Sequence, residues 1–275
     1  MIPQNTAKIP NLIYGTAWKE NSTEDIVSTA LKLGFRAIDT ANQRCHYNEA
    51  GVGDAISKSG IQREELFIQT KYTYANGQDN RIPYNPHANY STQLQQSFQS
   101  SLEHLHTDYL NSYILHGPST SFGLTQVDLE VWQAMEALHK EEKIKYLGVS
   151  NVNLEQLKIL FEEAKIKPTF VQNRCFAHTK WDEAIRDFCK QNNIIYQAFS
   201  ILTANTFIIP HIKKIADIHN KTSAQVLFRF SQQIGILPLT GTTSEAHMKE
   251  DLHLDFNLTD EQIRFIESIE AISKP

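Results

Sequence analysis

The stretch 109–149, YLNSYILHGPSTSFGLTQVDLEVWQAMEALHKEEKIKYLGV, reads as one strand–helix–strand unit. YLNSYIL (109–115) and IKYLGV (144–149) are short apolar runs of strand character. Between them Val127, Val131, Met135 and Leu138 recur at helical spacing. The same alternation continues outward. Upstream lie the runs LIYGT (12–16), FRAID (35–39) and LFIQT (66–70); downstream lie TFVQ (169–172), IIYQAF (194–199) and GILPL (235–239). Leu94, Phe98, Leu102 and Leu105 mark one intervening helix, and Leu154, Leu157, Phe161 and Ala164 another. Segment 206–232 is largely helical in pattern, and TDEQIRFIESIEAI (259–272) reads as a closing helix capped by Thr259. Strands separated by helices pair in parallel. Eight such units in about 250 residues match a (β/α)8 TIM barrel, expected here as a single α/β domain over 1–275. A doubly wound open sheet is the competing arrangement, but no G-x-G-x-x-G follows the first strand.

Nothing in the chain resembles a linker or a low-complexity segment. The stretch 75–91, ANGQDNRIPYNPHANYS, reads as a long functional loop inside the domain. With 41% hydrophobic residues and a net charge of −5, the chain has ample core and no basic footprint for nucleic acid. No window is apolar enough for a membrane span. The opening residues lack the pattern of a secretory leader. Cys45, Cys175 and Cys189 are odd in number and widely spaced, so neither a disulfide framework nor a metal set is expected. The default compartment is cytoplasmic. Scattered surface apolar residues leave the oligomeric state open.

In a barrel the strand ends face one side, where such folds place chemistry. FRAID ends on Asp39, LFIQTK on Lys71 and YLNSYILH on His116, with Tyr47 close by in CHYNEAGVG. Further ends carry Ser150 and Asn151, Gln172 and Asn173, Phe199 and Ser200, and the run Thr240-Gly241-Thr242-Thr243. Each has a plainer reading. Asp39, Ser150 and Thr242 can cap helices, His116 can be a satisfied core histidine, and Tyr47 a surface aromatic. Lys71 is harder to dismiss, because a lysine closing a buried apolar run needs a partner, and Asp39 is the obvious one. Together the four suit a tyrosine proton donor. A phenol ordinarily titrates near 10, and an adjacent ammonium favours the phenolate. A histidine beside it can orient a carbonyl oxygen while the phenol protonates it. No side chain supplies hydride, so a nicotinamide cofactor is implied. A serine hydrolase is disfavoured, since no G-x-S-x-G turn occurs.

At these residues the sequence resembles the aldo-keto reductase family along nearly its whole length. The resemblance is carried by YGTAWK, RAIDTA, NEAGVG, FIQTK, SLEHLHTDYLNSYILHGPS, IKYLGVSN, VQNR and PLTGTTSEAHMKEDL. It implies NADPH-dependent reduction of aldehydes or ketones, with NADH possible, and Asp39, Tyr47, Lys71 and His116 as the catalytic set. It also implies that Ser150, Asn151 and Gln172 hold the carboxamide and that Phe199 stacks on the nicotinamide. Gly15, Thr16, Ala17, Asp39, Ser200, Leu202, Thr240, Gly241, Thr242, His247, Glu250 and Asp251 would complete the cofactor site. Trp18 and His116 would meet the carbonyl substrate.

The chain departs from the family pattern in places. The step from Asp39 to the aromatic is longer than usual, and counting back from Val52-Gly53 puts His46 on the customary tyrosine position. Charge favours Tyr47 instead, because a neighbouring lysine stabilises a phenolate and opposes a protonated imidazole. Phe199 stands where tyrosine is common. Leu239-Thr240 and His247 replace the lysine, serine and arginine that usually grip a 2′-phosphate, so the NADPH preference should be weakened. The residues after the closing helix are few, which predicts an open pocket. The competing function is a non-catalytic nucleotide-binding barrel that acts as a regulatory or interaction subunit.

Overall fold

Eight parallel strands close into a barrel in chain order: β1 (Ile13–Gly15), β2 (Ala37–Asp39), β3 (Phe67–Tyr72), β4 (Leu110–Leu115), β5 (Ile144–Ser150), β6 (Phe170–Arg174), β7 (Ile195–Phe199) and β8 (Ile236–Thr240). The computed structural model describes residues 7–272. The leader expectation rests partly on residues 1–6, and the open-pocket expectation partly on 273–275. Both stretches lie outside the described residues. All eight expected runs form strands, and β1 and β8 pair to complete the barrel.

Helices α1 (Thr23–Leu33), α2 (Glu49–Ser59), α3 (Tyr90–His104), α4 (Gln126–Lys140), α5 (Leu154–Glu163) and α6 (Glu183–Gln191) follow successive strands. After β7 come α7 (Lys213–His219) and α8 (Ser223–Gln233), and after β8 come α9 (Glu245–Asp251) and α10 (Asp260–Ile272). Segment 206–232 is largely helical as expected, but divided between α7 and α8. Asn220, at φ 52°, ends α7 in the left-handed region, and Thr222 starts α8 with a capping box to Gln225. Reciprocal bonds between Thr259 and Gln262 cap α10 as expected.

Side chains on a strand alternate between faces. The outward set, including Tyr14, Ile38, Ile68, Tyr113, Val149 and Tyr196, packs with the helices into one extended core. The inward set fills the barrel. Ile13, Ala37, Phe67, Ile114, Phe170, Leu237 and Leu239 make an apolar floor. Gly148 belongs to this interior, where a Cβ would lie 2.2 Å from Ile114 Cδ1 and 2.9 Å from Phe170 O. One step higher on the same faces stand Asp39, Gln69, Gln172 and Gln197, all buried. Ser150 stands level with Gln172; one step higher again come Lys71, Arg174 and Phe199, and Ser150, Arg174 and Phe199 reach a cavity at the C-terminal ends of the strands.

The 75–91 loop folds back over the end of β2. Gln78 Nε2 donates to Asn42 O at 2.8 Å, and Gln43 Nε2 donates to Gly77 O at 2.7 Å. All three cysteines are free thiols. Among the described residues, no helix is long and apolar enough to cross a membrane.

Candidate active site

Lys71 is 1% exposed and its ammonium lies 2.6 Å from Asp39 Oδ2. A second proton goes to Thr40 O at 2.8 Å. Burial lowers the Lys71 pKa, while Asp39 and then Glu49 act to raise it. The other carboxylate oxygen, Asp39 Oδ1, accepts from Gln69 Nε2 at 2.7 Å and Gln172 Nε2 at 3.1 Å. A buried charge with one ionic partner and several hydrogen bonds is the arrangement that offsets desolvation.

The loop after β2 turns sharply, with Gln43 O accepting from both His46 N and Tyr47 N. This turn separates the two adjacent side chains. Tyr47 swings over the ion pair, and Lys71 Nζ lies 5.2 Å from its ring centroid. The Tyr47 ring meets His116 edge-on at 6.0 Å. His46 also lines the cavity, but its Nδ1 bonds Gln43 Oε1 at 2.9 Å and its ring packs on Trp18 at 4.0 Å. His116 Nδ1 pairs with Thr73 Oγ1 at 2.7 Å. Burial, with help from Lys71 and His46, pushes the His116 imidazole down to about 3, so it is neutral in ordinary buffers. Tyr47 differs from the sequence expectation. Burial, with Asp39 and Cys45, holds its phenol above the usual value, which outweighs the neighbouring ammonium.

The cavity has a volume of about 900 Å³, within the range of small-molecule and cofactor sites. Asp39, Tyr47, His116, Ser150, Gln172 and Phe199 line it, together with Thr242, His247, Glu250 and Asp251 from the segment after β8. Gly15, Ala17, Trp18, Ser200, Leu202, Thr240 and Gly241 also reach it. Trp18 and Ser200 hold φ of 61° and 59°, a strained region for side-chain-bearing residues that concentrates at binding sites. Asp251 is pushed up to about 6 by burial, against a lowering bond from Thr240 and the nearby His247.

Two expected cofactor residues do not line the cavity. The Thr16 hydroxyl is buried and donates to Asp39 O at 3.0 Å. Asn151 Nδ2 donates to His116 O at 2.8 Å and Ser150 Oγ at 3.1 Å, bracing the rim. The Thr240 hydroxyl is engaged by Asp251 Oδ2 at 2.6 Å, so it is no phosphate donor. Lys71 lies beneath the cavity wall, screened by Tyr47.

Sequence reading missed Lys19, Arg174 and the pair Gln69–Gln197. Lys19 lines the cavity and its ammonium donates to Gly241 O. Its signal was adjacency to Trp18 in YGTAWK. Arg174 extends into the cavity with no ion pair among the described residues. Strand alternation was the signal here, because Arg174 follows Gln172, and Gln69 precedes Lys71, by two residues.

A barrel with a largely apolar cavity at its C-terminal end, carrying a few convergent polar groups, is an enzyme-like architecture, and comparison with known proteins makes the class specific. The Aldo/keto reductase family profile matches residues 11–271, and the chain belongs to that family. It is therefore grouped with oxidoreductases. Glyoxal reductase of Bacillus subtilis (strain 168) is 34% identical over 98% of this chain and 91% of its own length. The 9,11-endoperoxide prostaglandin H2 reductase of Trypanosoma cruzi (strain CL Brener) is 32% identical over 96% of this chain and 89% of its own. Among solved structures, the aldo-keto reductase MGS-M4 from a Medee basin deep-sea metagenome superposes with a TM-score of 0.83. The identity is 30%, covering 99% of this chain and 95% of that one.

Proposed function

We propose that this protein reduces small aldehydes or ketones to alcohols with a reduced nicotinamide cofactor, Tyr47 supplying the proton. The observation that carries the reading is the buried Asp39–Lys71 pair, 2.6 Å apart, set beneath the Tyr47 ring at the cavity floor. Membership of the family supports the reaction class. The Tyr47 hydroxyl, protonated because burial opposes its ionisation, donates to the carbonyl oxygen as that oxygen gains charge. Lys71, kept charged by Asp39, stabilises the phenolate left behind. Neutral His116, with the Thr73 hydroxyl donating to Nδ1, holds Nε2–H toward the same oxygen.

The donor set suits a dinucleotide. Gln172 has both amide hydrogens engaged by Asp39 and Gln197, so it offers only Oε1, an acceptor matched to a carboxamide NH₂. Phe199 supplies a flat apolar wall, and Lys19 is the cation nearest Gly241 for a diphosphate. A reduced nicotinamide bound there supplies the hydride that no side chain can.

The direct test follows NADPH oxidation by absorbance with a panel of small aldehydes. Turnover supports the reading; NADPH binding with no turnover on any carbonyl would favour a nucleotide-binding barrel instead. A preference for NADPH over NADH is expected, but a modest one. His247 offers an imidazole rather than a guanidinium fork, Glu250 and Asp251 are acidic, and the Thr240 hydroxyl is engaged. Catalytic efficiency and fluorescence-measured affinity with both cofactors check this, and a clear NADH preference sinks it.

The relative named for glyoxal points to small activated carbonyls. Trp18 is 69% exposed at the rim, so the wall near the substrate is open. A tight apolar pocket discriminates about 10–200-fold per methylene. Here glyoxal and its methyl homologue are expected within about tenfold of each other in kcat/KM, since an open wall forfeits most of that contact. A bulky substrate favoured over both by orders of magnitude overturns this expectation.

A further inference from the structure

The interior of such barrels is ordinarily filled by branched apolar side chains. Here the layer above the apolar floor is made of amides. Gln69 Nε2 donates to Asp39 Oδ1 at 2.7 Å and to Gln197 Oε1 at 2.8 Å. Gln172 Nε2 donates to the same two acceptors, at 3.1 and 3.0 Å. Gln197 Nε2 returns a bond to Gln69 Oε1 at 3.0 Å. The ring joins β2, β3, β6 and β7 across the barrel, and its members are at most 3% exposed. An unbonded buried amide is costly, yet an apolar residue of similar volume could fill either site without that hazard. The layer does something packing alone does not require.

A carboxylate held only by a lysine can turn about its own bond and present either oxygen. Two amide donors on Oδ1 leave one orientation that satisfies every partner, with Oδ2 aimed at Lys71. Gln197 braces both donors, because each would otherwise have a hydrogen without an acceptor. Amides do not titrate, so the brace holds at every pH the protein survives.

We infer that Gln69 and Gln197 are positioning residues that lock the Asp39 carboxylate so that Lys71 stands beneath Tyr47. The catalytic consequence rests on the proposed carbonyl reduction; the positioning itself does not. The groups facing Lys71 are Asp39 from β2, Tyr47 and Glu49 from the loop and helix that follow it, and His116 from the end of β4. Once Asp39 can turn away, Lys71 stays buried with less counter-charge, and its ammonium is lost at lower pH.

The test compares wild type with the single variant Gln197→Met and the double variant Gln69→Met/Gln197→Met. Methionine keeps most of the volume, and the double change removes the Gln69–Gln197 bonds from both ends. Three results are expected for the double variant. Its kcat falls by about tenfold or more, as a misplacement near 1 Å does. Its NADPH affinity by fluorescence changes by less than about threefold, the low end of what one lost hydrogen bond costs, because neither Gln69 nor Gln197 lines the cavity. The alkaline limb of its kcat profile moves to lower pH, with Gln197→Met between the two. A crystal structure of either folded variant should show the Asp39 carboxylate rotated and the Lys71–Asp39 contact lengthened. Should the double variant not fold, Gln197→Met carries the same comparisons. Superimposable pH profiles, or Asp39 and Lys71 unmoved in the crystal, reduce the layer to packing and overturn the inference. The two readings fail separately. A wild type inactive on every carbonyl sinks the proposed reaction, while the crystal comparison still decides the positioning.

Discussion

A Lys71→Met protein is expected to lose about 10²- to 10⁴-fold in carbonyl reduction, the contribution typical of a general acid. The ammonium is 1% exposed, so bulk water cannot replace it next to Tyr47. Without it, the phenolate formed after proton donation would sit in a desolvated site beside the Asp39 carboxylate, and both burial and Asp39 already oppose that phenolate. The transition state loses charge stabilisation while the ground state, a neutral phenol, loses little; kcat should therefore fall more than KM rises. Stability should also drop, by up to about 3–5 kcal/mol, because removing one partner of a buried pair strands the other. The Gln69 and Gln172 donors on Asp39 Oδ1 limit that penalty. Steady-state kinetics, thermal melts and NADPH fluorescence separate the effects. Near-normal turnover by a folded Lys71→Met protein removes Lys71 from the proposed chemistry.

The barrel was legible because its signal is repetitive. Eight short apolar runs spaced by helical periodicity constrain one another, and β1 to β8 appear where those runs lie. Asp39 and Lys71 stood out because a charge ending an apolar strand demands a partner, and the structure brings them within 2.6 Å. What escaped depends on rotation and loop shape. Gln69 and Gln197 lie inside FIQTK and IYQAF, where a polar residue in an apolar run does not reveal whether it faces helices or the barrel axis. Lys71, two residues on from Gln69, supplies the reference once its inward face is known. The fate of Thr16, Thr240 and Asn151 was not legible, because each hydroxyl or amide is engaged by a group distant in sequence or in the next turn. The direction of the Tyr47 shift is illegible for a related reason. The sequence named the ammonium but not the depth of burial, which dominates.

The adjacent pair His46 and Tyr47 gives the sharpest contrast. Tyr47→Phe is expected to lose about 10²- to 10⁴-fold in turnover, since it deletes the proposed acid and little else. Phenylalanine keeps the ring that covers Lys71 and meets His116, so the cavity wall and cofactor affinity should persist. His46→Ala should keep a substantial fraction of activity. Its ring is directed to Gln43 and Trp18, and the Lys71 ammonium lies under Tyr47 instead. The two candidates also differ in sign with pH. A histidine donor acts only when protonated, so activity would rise as pH falls through the imidazole range. A tyrosine donor held protonated by burial stays loaded across neutral pH, and activity fails only on the alkaline side, as the Lys71–Tyr47 pair loses its proton. Paired pH profiles of kcat for wild type, Tyr47→Phe and His46→Ala therefore decide the assignment. An acid-shifted wild-type optimum, abolished by His46→Ala and retained by Tyr47→Phe, would give the proton to His46 and leave Tyr47 as a lid over the buried ion pair.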